Sequence, residues 1–200
     1  MIGERVLDAF ESNSIEGLKP ATLLPDPTRT GVFCIRGERP DETITPLQEI
    51  DVFIPVLHGT FGEDGTIQGL FEMAGIAYVG AGVLGSSLGM DKGVFKDVMR
   101  AHQIPVVESF VTTRKHIEND LETVVKRSRD LAPFPLFVKP ANLGSSVGIT
   151  KCLSVSDLIE GLIEAARFDR RILVERGIDA REIEISVLGN DDPMASVPGE

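Results

Sequence analysis

Lys139 stands between an apolar run and a loop of glycine and serine in the segment LFVKPANLGSSVGITK, residues 136–151. Glycine and serine leave backbone N–H groups accessible and add hydroxyl donors, and a lysine beside them supplies positive charge. A charged residue at the end of a buried strand is costly unless it meets an anion or reaches water. The segment therefore indicates a phosphate site, and a lysine that simply projects into solvent is the alternative.

A second glycine motif suggests dinucleotide binding. GAGVLG at 80–85 fits G-x-G-x-x-G, follows the apolar run IAYV, and has Glu108 downstream at about the position of the ribose-binding acid. The helix of that motif would have to contain glycines and serines that each cost up to about 1 kcal/mol relative to alanine. These are Gly85, Ser86, Ser87 and Gly89. We therefore predict a glycine loop followed by a helix that starts late.

Two further segments match the nucleophile elbow G-x-S-x-G of α/β hydrolases, GSSLG at 85–89 and GSSVG at 144–148. An elbow needs a helix after the serine and an acid and a histidine downstream. The last histidine is His116, so none follows Ser146, and the glycines around Ser87 again weaken a helix. A hydrolase is disfavoured, and the absence of G-x-x-x-x-G-K-[ST] excludes a P-loop NTPase.

The composition is that of a globular protein. The 200 residues, 42% apolar and 26% charged, suffice for one large domain or two small ones. A net charge of −11 without clustered Lys or Arg disfavours nucleic acid as a partner. The longest apolar run, VFIPVL at 52–57, is far shorter than the ~18 residues of a membrane span, and no signal peptide is evident. We predict a cytoplasmic protein with no membrane partner.

The two cysteines do not indicate a functional site. Cys34 and Cys152 lie far apart, with no CxxC motif and no histidine at metal-ligand spacing. We therefore predict neither a disulfide nor a zinc site, and interpret both residues as structural or incidental.

Strands alternate with helices from residue 50 onward, which predicts an α/β fold. Helices are predicted after Asp64, over Lys92–Gln103, over Glu118–Arg129 and over 154–168, and one is possible over 1–10. Strands are predicted at 50–57, 76–79, 104–111, 135–140, 171–175 and 181–189. The continuous apolar run at 50–57 is typical of a strand buried on both faces, whereas the alternation at 181–189 predicts a half-exposed antiparallel strand. We place a change of domain near 90–112.

Taken together, the segments resemble the D-alanine:D-alanine ligases of the ATP-grasp superfamily. Residues 57–92, LHGTFGEDGTIQGLFEMAGIAYVGAGVLGSSLGMDK, are similar to that family's HG..GEDG..QG segment and the run to its first ATP lysine. Residues 173–189, LVERGIDAREIEISVLG, are similar to its adenine and ribose segment, and 136–151 to its central-domain signature. The resemblance covers roughly residues 50–200 and assigns GAGVLGSS to a family loop rather than to a dinucleotide site.

The resemblance implies an incomplete ATP-grasp fold. Residues 1–90 would be an N-terminal α/β domain with a parallel sheet on the substrate side, without its first strand and turn. Residues 91–200 would be an α+β central ATP-binding domain without its C-terminal part. The implied reaction transfers the γ-phosphoryl of ATP to one D-alanine, and the resulting acyl phosphate is attacked by the amine of a second, giving a dipeptide for peptidoglycan synthesis.

The resemblance also implies the roles of individual residues. Lys92 and Lys139 would touch the ATP phosphates, and residues 141–148 would be a mobile loop that closes over them. Ser145 would be catalytic, in the hydrogen-bond network beside the first D-alanine, with Ser146 nearer the phosphates.

Nucleoside and substrate contacts follow from the same resemblance. Glu175 is matched to the adenine amino group, Ile178 to a backbone contact at the base, Glu182 to the ribose hydroxyls and His58 to the carboxylate of the first substrate. Alternatives stay open, because Glu175 could be a solvated charge at a strand end and His58 a structural histidine.

Acidic residues near these motifs also have simpler interpretations. Glu63 and Asp64 could only cap the following helix, and Glu184 reads best as a solvated residue on the alternating strand.

The chain differs from the family in its length. The family's glycine-rich first strand, and the family's glutamate that orients the catalytic serine, have no counterpart in MIGERVLDAFESNS. The Mg²⁺ ligands are expected in the C-terminal part, as is the loop that selects the second substrate. We therefore expect these 200 residues to retain part of the ATP site and to lack ligase turnover, with a homodimer expected for the full-length family. A nonenzymatic nucleotide-binding remnant and a D-alanine:D-lactate ligase are the alternatives.

Overall fold

The structure is a computed structural model that describes residues 11–12, 14, 18–37 and 40–200. The possible helix over 1–10 lies outside these residues. The chain divides into two compact units. Unit 1 extends to Phe95 and also takes in Asn142–Ser145, and unit 2 comprises Lys96–Ala141 and Ser146–Glu200.

Among the described residues, unit 1 includes two small sheets and, between residues 66 and 90, two helices. Strands β1 (Ala21–Thr22), β2 (Val32–Arg36) and β3 (Thr43–Gln48) pair antiparallel in that order. Strand β4 (Val52–Phe53) pairs in parallel with β5 (Ala77–Tyr78), and helix α1 (Thr66–Ala74) connects them. The ring of Phe71 on α1 lies 5.1 Å from Phe53 and 5.3 Å from Tyr78, measured between centroids. The predicted strand–helix–strand order from 50 to 79 is thus present.

The prediction of a long buried strand at 50–57 is wrong. The ladder covers only Val52–Phe53, and the side chains of Ile54 and Val56 are 70% and 76% exposed. Pro55 has no N–H to donate to a ladder, which limits the strand. Among the described residues β4 pairs with β5 alone, so the run is not buried on both faces.

The prediction of a late-starting helix after the glycine motif is also wrong. Helix α2 spans Val83–Met90 and so begins inside the motif. Serine side chains compensate for the poor helix propensity, since Ser86 Oγ donates to the carbonyl of Ala81 at 3.2 Å and Ser87 Oγ to that of Asp64 at 2.8 Å.

Helix α3 (Lys92–Ala101) follows, and the unit boundary falls within it. Unit 2 is built on an antiparallel sheet of four strands in the order β6-β9-β7-β8. The strands are β6 (Ser109–Thr113), β7 (Leu136–Pro140), β8 (Thr150–Cys152) and β9 (Arg171–Arg176), and the helices are α4 (Arg114–Asn119), α5 (Leu121–Leu131) and α6 (Val155–Phe168).

The core of unit 2 lies between one face of this sheet and its helices. Leu136 and Val138 of β7 and Val174 of β9 are fully buried with Leu158 and Leu162 of α6. Val124 is buried too, and Leu121 and Val125 pack against this core. Alternation along β7 sends Phe137 and Lys139 to the opposite face of the sheet.

Several predicted boundaries moved. The helix predicted over Glu118–Arg129 is two helices, because Asp120 ends α4 and caps α5 by accepting the N–H of Thr123 at 3.1 Å. The strand predicted at 104–111 begins only at Ser109.

The strand predicted at 181–189 reduces to β10 (Val187–Leu188), which pairs with β11 (Met194–Ala195), and an isolated bridge from Glu184 to Gly199. Ile183 and Ile185 are each 53% exposed, so this segment is not half-buried among the described residues.

Candidate functional site

Lys139 and Glu175 share the face of the unit 2 sheet that lies opposite the core face carrying Leu136, Val138 and Val174. Lys139 of β7 pairs with Leu173 of β9, and Phe137 pairs with Glu175, so Lys139 and Glu175 are diagonal neighbours. The Lys139 ammonium donates to Glu175 Oε1 and lies 5.4 Å from the centroid of the Phe137 ring. Antiparallel register thus brings together two residues that are 36 positions apart in the sequence.

A third charged residue completes the cluster. Lys96 of α3 has its Nζ 3.0 Å from Glu175 Oε2 and donates to the carbonyl of Val107 at 3.2 Å. The side chains of Lys96 and Glu175 are only 13% and 10% exposed. We call Lys96, Lys139 and Glu175 the Glu175 cluster.

Burial and the two lysines act oppositely on Glu175. Burial raises the pKa of this carboxyl, but the hydrogen bonds from Lys139 and Lys96 outweigh it and hold the pKa below its ordinary value. The carboxylate is therefore charged at neutral pH and is not the solvated strand-end residue that the sequence also allowed. Lys139 is likewise ion-paired rather than merely projecting into water.

The glycine and serine loop has an unusual backbone. Ser145 and Ser146 have φ of 51° and 58°, and Gly148 has φ of 69°, all in the left-handed region. Left-handed residues turn successive N–H groups to one side, an arrangement that binds anions. A Cβ at Gly148 would lie 2.8 Å from the Phe168 ring and 2.8 Å from Pro140, so glycine is required there both by conformation and by space.

The first part of the loop is anchored within unit 1. The Lys92 ammonium donates to the carbonyl of Leu143, and Asn142 Nδ2 donates to Asp91 Oδ2 at 3.3 Å. Asp91 is buried, and its other oxygen accepts the N–H groups of Gly93 and Val94 at 3.0 Å, at the start of α3. Lys92 and this loop segment are therefore neighbours within unit 1.

The HGTFGEDG turn in unit 1 is held by its own acids. Asp64 accepts the N–H groups of Phe61 and Thr66, each at 2.9 Å, and Glu63 accepts that of Gly59 at 2.5 Å. Burial raises the pKa of Asp64, but the hydrogen bonds from Phe61 and Thr66 outweigh burial and keep the pKa below its ordinary value. Asp64 thus supports the start of α1, whereas Glu63 binds the turn instead of capping the helix.

A cavity of about 410 Å³ lies beside this turn in unit 1. It is lined by Glu63, Gln68, Gly80, Ala81, Gly85, Ser86 and apolar neighbours. His58 is exposed and is not among the lining residues. The structure therefore does not bring His58 to the cavity.

The remaining predicted nucleoside contacts lie after β9. Ile178 is 57% exposed and Glu182 and Glu184 are exposed as well. Sequence reasoning assigned no individual role to Lys96, Asp91 or Asn142, although Asp91 and Asn142 lie within the segments 57–92 and 136–151 that carry the resemblance. The one available signal was the four-residue spacing from Lys92 to Lys96, which puts both on one face of a helix.

Several other features carry no site among the described residues. No group of three or more His, Cys, Asp or Glu there could hold a metal ion. Cys34 and Cys152 are free and buried, and burial followed by the charge of Asp157 raises the pKa of Cys152 to about 11. Of the helices described, none combines the length and apolarity needed to cross a bilayer.

Comparisons with known proteins agree on one family. The family model described as D-ala D-ala ligase N-terminus matches residues 29–81, and the one described as D-ala D-ala ligase C-terminus matches 98–200. The chain is 45% identical over 199 residues to the D-alanine–D-alanine ligase of Heliobacterium modesticaldum, covering 100% of the chain and 53% of that protein. It is 54% identical over 153 residues to the D-alanine–D-alanine ligase of Acetivibrio thermocellus, covering 76% of this chain and 41% of that protein.

Solved structures give the same result. The structure of VanG D-Ala:D-Ser ligase from Enterococcus faecalis matches with a TM-score of 0.81 and 31% identity, over 98% of this chain and 53% of that one. The D-alanine–D-alanine ligase from Coxiella burnetii matches with a TM-score of 0.72 and 37% identity, over 83% and 49%. The chain spans about half the length of the relatives it matches.

The mixed α/β fold, with these structural matches, is that of an ATP-grasp enzyme. The chain belongs to the D-alanine–D-alanine ligase family. The resemblance and the fold class predicted from the sequence are confirmed.

Proposed function

We propose that this chain is the substrate-side and ATP-binding part of a ligase that joins two D-alanines through an acyl phosphate. The observation that carries the proposal is the Glu175 cluster, a buried carboxylate with a lysine on each oxygen. Family membership supports the same function, and peptidoglycan precursor synthesis in the cytoplasm is the role we assign to it.

We assign residues 1–90 to the substrate-side domain and 91–200 to the ATP-binding domain. In the second, Lys139 neutralises phosphate oxygens and Glu175 accepts the adenine amino group, with Ile178 and Glu182 at the base and ribose. Ser146 and the left-handed backbone of the loop donate to phosphate. Closure of the loop excludes water that would hydrolyse an acyl phosphate.

Lys92, near the start of the same domain, contributes a second positive charge beside the loop segment that it already contacts. Ser145 donates within the network at the first D-alanine, and His58 binds its carboxylate. The exposed position of His58 allows contact with a ligand. A homodimer is our proposal for the whole protein.

Mg²⁺ is the metal that this chemistry implies, since it neutralises phosphate charge. The described residues do not fit it, because they contain no group of acids and histidines able to hold a metal ion. We therefore assign no metal ligand to these residues and derive no step through the ion. The chain measured alone is proposed to bind nucleotide without ligase turnover.

The second substrate is a separate question. The match to a D-Ala:D-Ser ligase at a TM-score of 0.81 shows that this fold occurs in ligases that differ in their second substrate. A D-alanine:D-lactate ligase is therefore the second candidate, and comparing D-alanine, D-serine and D-lactate as acceptors in the whole protein distinguishes them.

ATP binding measured by isothermal calorimetry, with and without Mg²⁺, tests the proposal. Lys139→Ala is expected to weaken ATP binding at least tenfold, about 1.4 kcal/mol, because it removes the charge beside the loop. Lys151→Ala is the control, since Lys151 is an exposed lysine of the same sheet. Equal affinities in both variants, or no ATP binding by the folded chain, would overturn the proposed site.

A further inference from the structure

Lys96 has no role in the function proposed above, and its ammonium is buried, which is energetically costly for a lysine. Its side chain is 13% exposed, and its ammonium contacts Glu175 Oε2 at 3.0 Å and the carbonyl of Val107 at 3.2 Å. A buried ammonium is tolerated only when hydrogen-bonded and paired with an opposite charge. Glu175 therefore supplies the opposite charge that Lys96 needs, and the Val107 carbonyl fixes the orientation of the Lys96 ammonium.

The two oxygens of Glu175 are divided between the two lysines. Oε1 accepts from Lys139 and Oε2 from Lys96. Lys139 is the more exposed lysine, with 23% of its side chain accessible, and it adjoins the glycine and serine loop. Lys96 is the more buried lysine, 13% exposed, and is held by the Val107 carbonyl. One lysine can therefore turn to a ligand while the other stays.

This division resolves a conflict within the proposed function, on which the inference rests. If Lys139 moves to phosphate, Glu175 loses one of its two positive partners at the moment when it must accept a hydrogen bond from the base. A buried carboxylate left without a partner is strongly disfavoured. A second lysine that remains on Oε2 removes that penalty and leaves Oε1 open to the base.

We infer that Lys96 is a positioning residue that holds Glu175 through Oε2, so that Oε1 is presented to the adenine amino group when Lys139 binds phosphate. Lys96 touches neither the base nor the phosphates in this assignment. Its effect on nucleotide binding passes entirely through the orientation of Glu175, so its loss alters base selection more than phosphate binding.

Comparison of ATP with inosine triphosphate tests this assignment. Inosine triphosphate has a carbonyl oxygen where ATP has the amino group, so an oriented carboxylate favours ATP and repels the analogue. The preference is measured as the dissociation constant of inosine triphosphate divided by that of ATP. We expect Lys96→Met to reduce this ratio at least fivefold. Lys96→Arg, which restores a charged donor, should recover part of that preference.

Controls separate this role from a general effect on folding. Lys126→Met, at an exposed lysine of α5, should leave the ratio unchanged. Circular dichroism and urea unfolding establish that each variant is folded. Should Lys96→Met not fold, Lys96→Gln, which keeps a hydrogen-bond donor without the charge, carries the same expectation.

The outcomes distinguish the inference from the function beneath it. A folded Lys96→Met, or Lys96→Gln, that keeps the wild-type ratio overturns the positioning role and leaves the proposed function standing. Wild-type chain that is folded but binds neither nucleotide overturns both. If the wild-type chain binds ATP and inosine triphosphate equally well, Glu175 does not recognise the base, and the positioning role of Lys96 is overturned too.

Discussion

Glu175 is neutralised from two sides, by one lysine on the neighbouring strand and one on a helix. The sequence could predict Lys139 and Glu175 only separately, through motif resemblance, because their contact depends on the register of β7 with β9. It does not indicate that Lys96 is buried, since the spacing from Lys92 places Lys96 only on a helix face and a lysine on a helix is ordinarily solvated. The sequence therefore indicates Lys139 and Glu175 as candidate residues, but it does not show that they form an ion pair with each other.

Glu175→Gln removes the negative charge and leaves two ammonium groups facing a neutral amide. We expect unfolding to become easier by about 1–3 kcal/mol, because each buried lysine loses its counter-charge. Urea unfolding at pH 7 measures this. Glu118→Gln, at an exposed position of α4, is the matched control and should change stability by less than about 0.5 kcal/mol.

The same pair of proteins gives a pH dependence. The pKa of Glu175 lies below its ordinary value of 4.5 in the folded protein, so its contribution is fully present above that pH. The contribution is lost as the pH falls through the folded pKa. Wild type and Glu175→Gln should thus differ in stability by a constant amount from neutral pH down to about pH 5 and converge in stronger acid. A constant gap in acid would contradict the lowered pKa.

Cys152 should be unreactive in the native protein. It is fully buried, and its pKa is raised to about 11, so almost no thiolate is present near pH 8. Iodoacetamide labelling followed by mass spectrometry should modify Cys152 only when urea is added. Rapid labelling in native buffer would contradict the assigned burial.

At the scale of elements, the sequence predicted best where a local signal and tertiary packing agree. Ser154 and Asp157 have the three-residue spacing of a capping box and form one, with Ser154 Oγ accepting the Asp157 N–H at 3.2 Å and Asp157 Oδ2 accepting the Ser154 N–H at 3.0 Å. Prediction failed for 50–57 and 181–189, where a hydrophobic pattern has no covering layer among the described residues. Pattern shows that a face can be buried, and only the fold decides whether it is.

Ser154→Ala tests the capping box. We expect a loss of about 1 kcal/mol in unfolding free energy, because an N–H of the first turn of α6 loses its acceptor. Ser156→Ala, at an equally exposed serine in the first turn of α6 that is not the N-cap, is the control and should cost less than about 0.5 kcal/mol. Equal effects would show that the cap does not limit stability.

Gly148→Ala tests the loop as an element. Alanine would be strained at φ 69° and would place its Cβ against Phe168 and Pro140, so the loop must shift. We expect ATP affinity to fall at least fivefold with little change in the sheet. Gly69→Ala on α1 is the control, because a Cβ there meets no atom within 4 Å. Undiminished ATP binding by Gly148→Ala would place the phosphates elsewhere.

At the scale of the molecule, the chain spans about half the length of its relatives. Its described residues contain the Glu175 cluster but no group of acids and histidines able to hold a metal ion. Family and fold class followed from linked motifs because their order and spacing are specific. Turnover does not follow from them, since it needs every group of the reaction at once.

The 200-residue chain, incubated with ATP, Mg²⁺ and D-alanine, should bind nucleotide and form no dipeptide, because phosphoryl transfer requires a metal site that its described residues do not supply. Adding the C-terminal half of a relative such as the Heliobacterium enzyme, fused after Glu200, should restore dipeptide synthesis, measured by mass spectrometry and phosphate release. The fusion carrying Lys139→Ala is the control and should be strongly impaired. Dipeptide formed by the chain alone would show that its residues suffice for the reaction, whereas a folded fusion that binds ATP and remains inactive would favour a nonenzymatic nucleotide-binding protein.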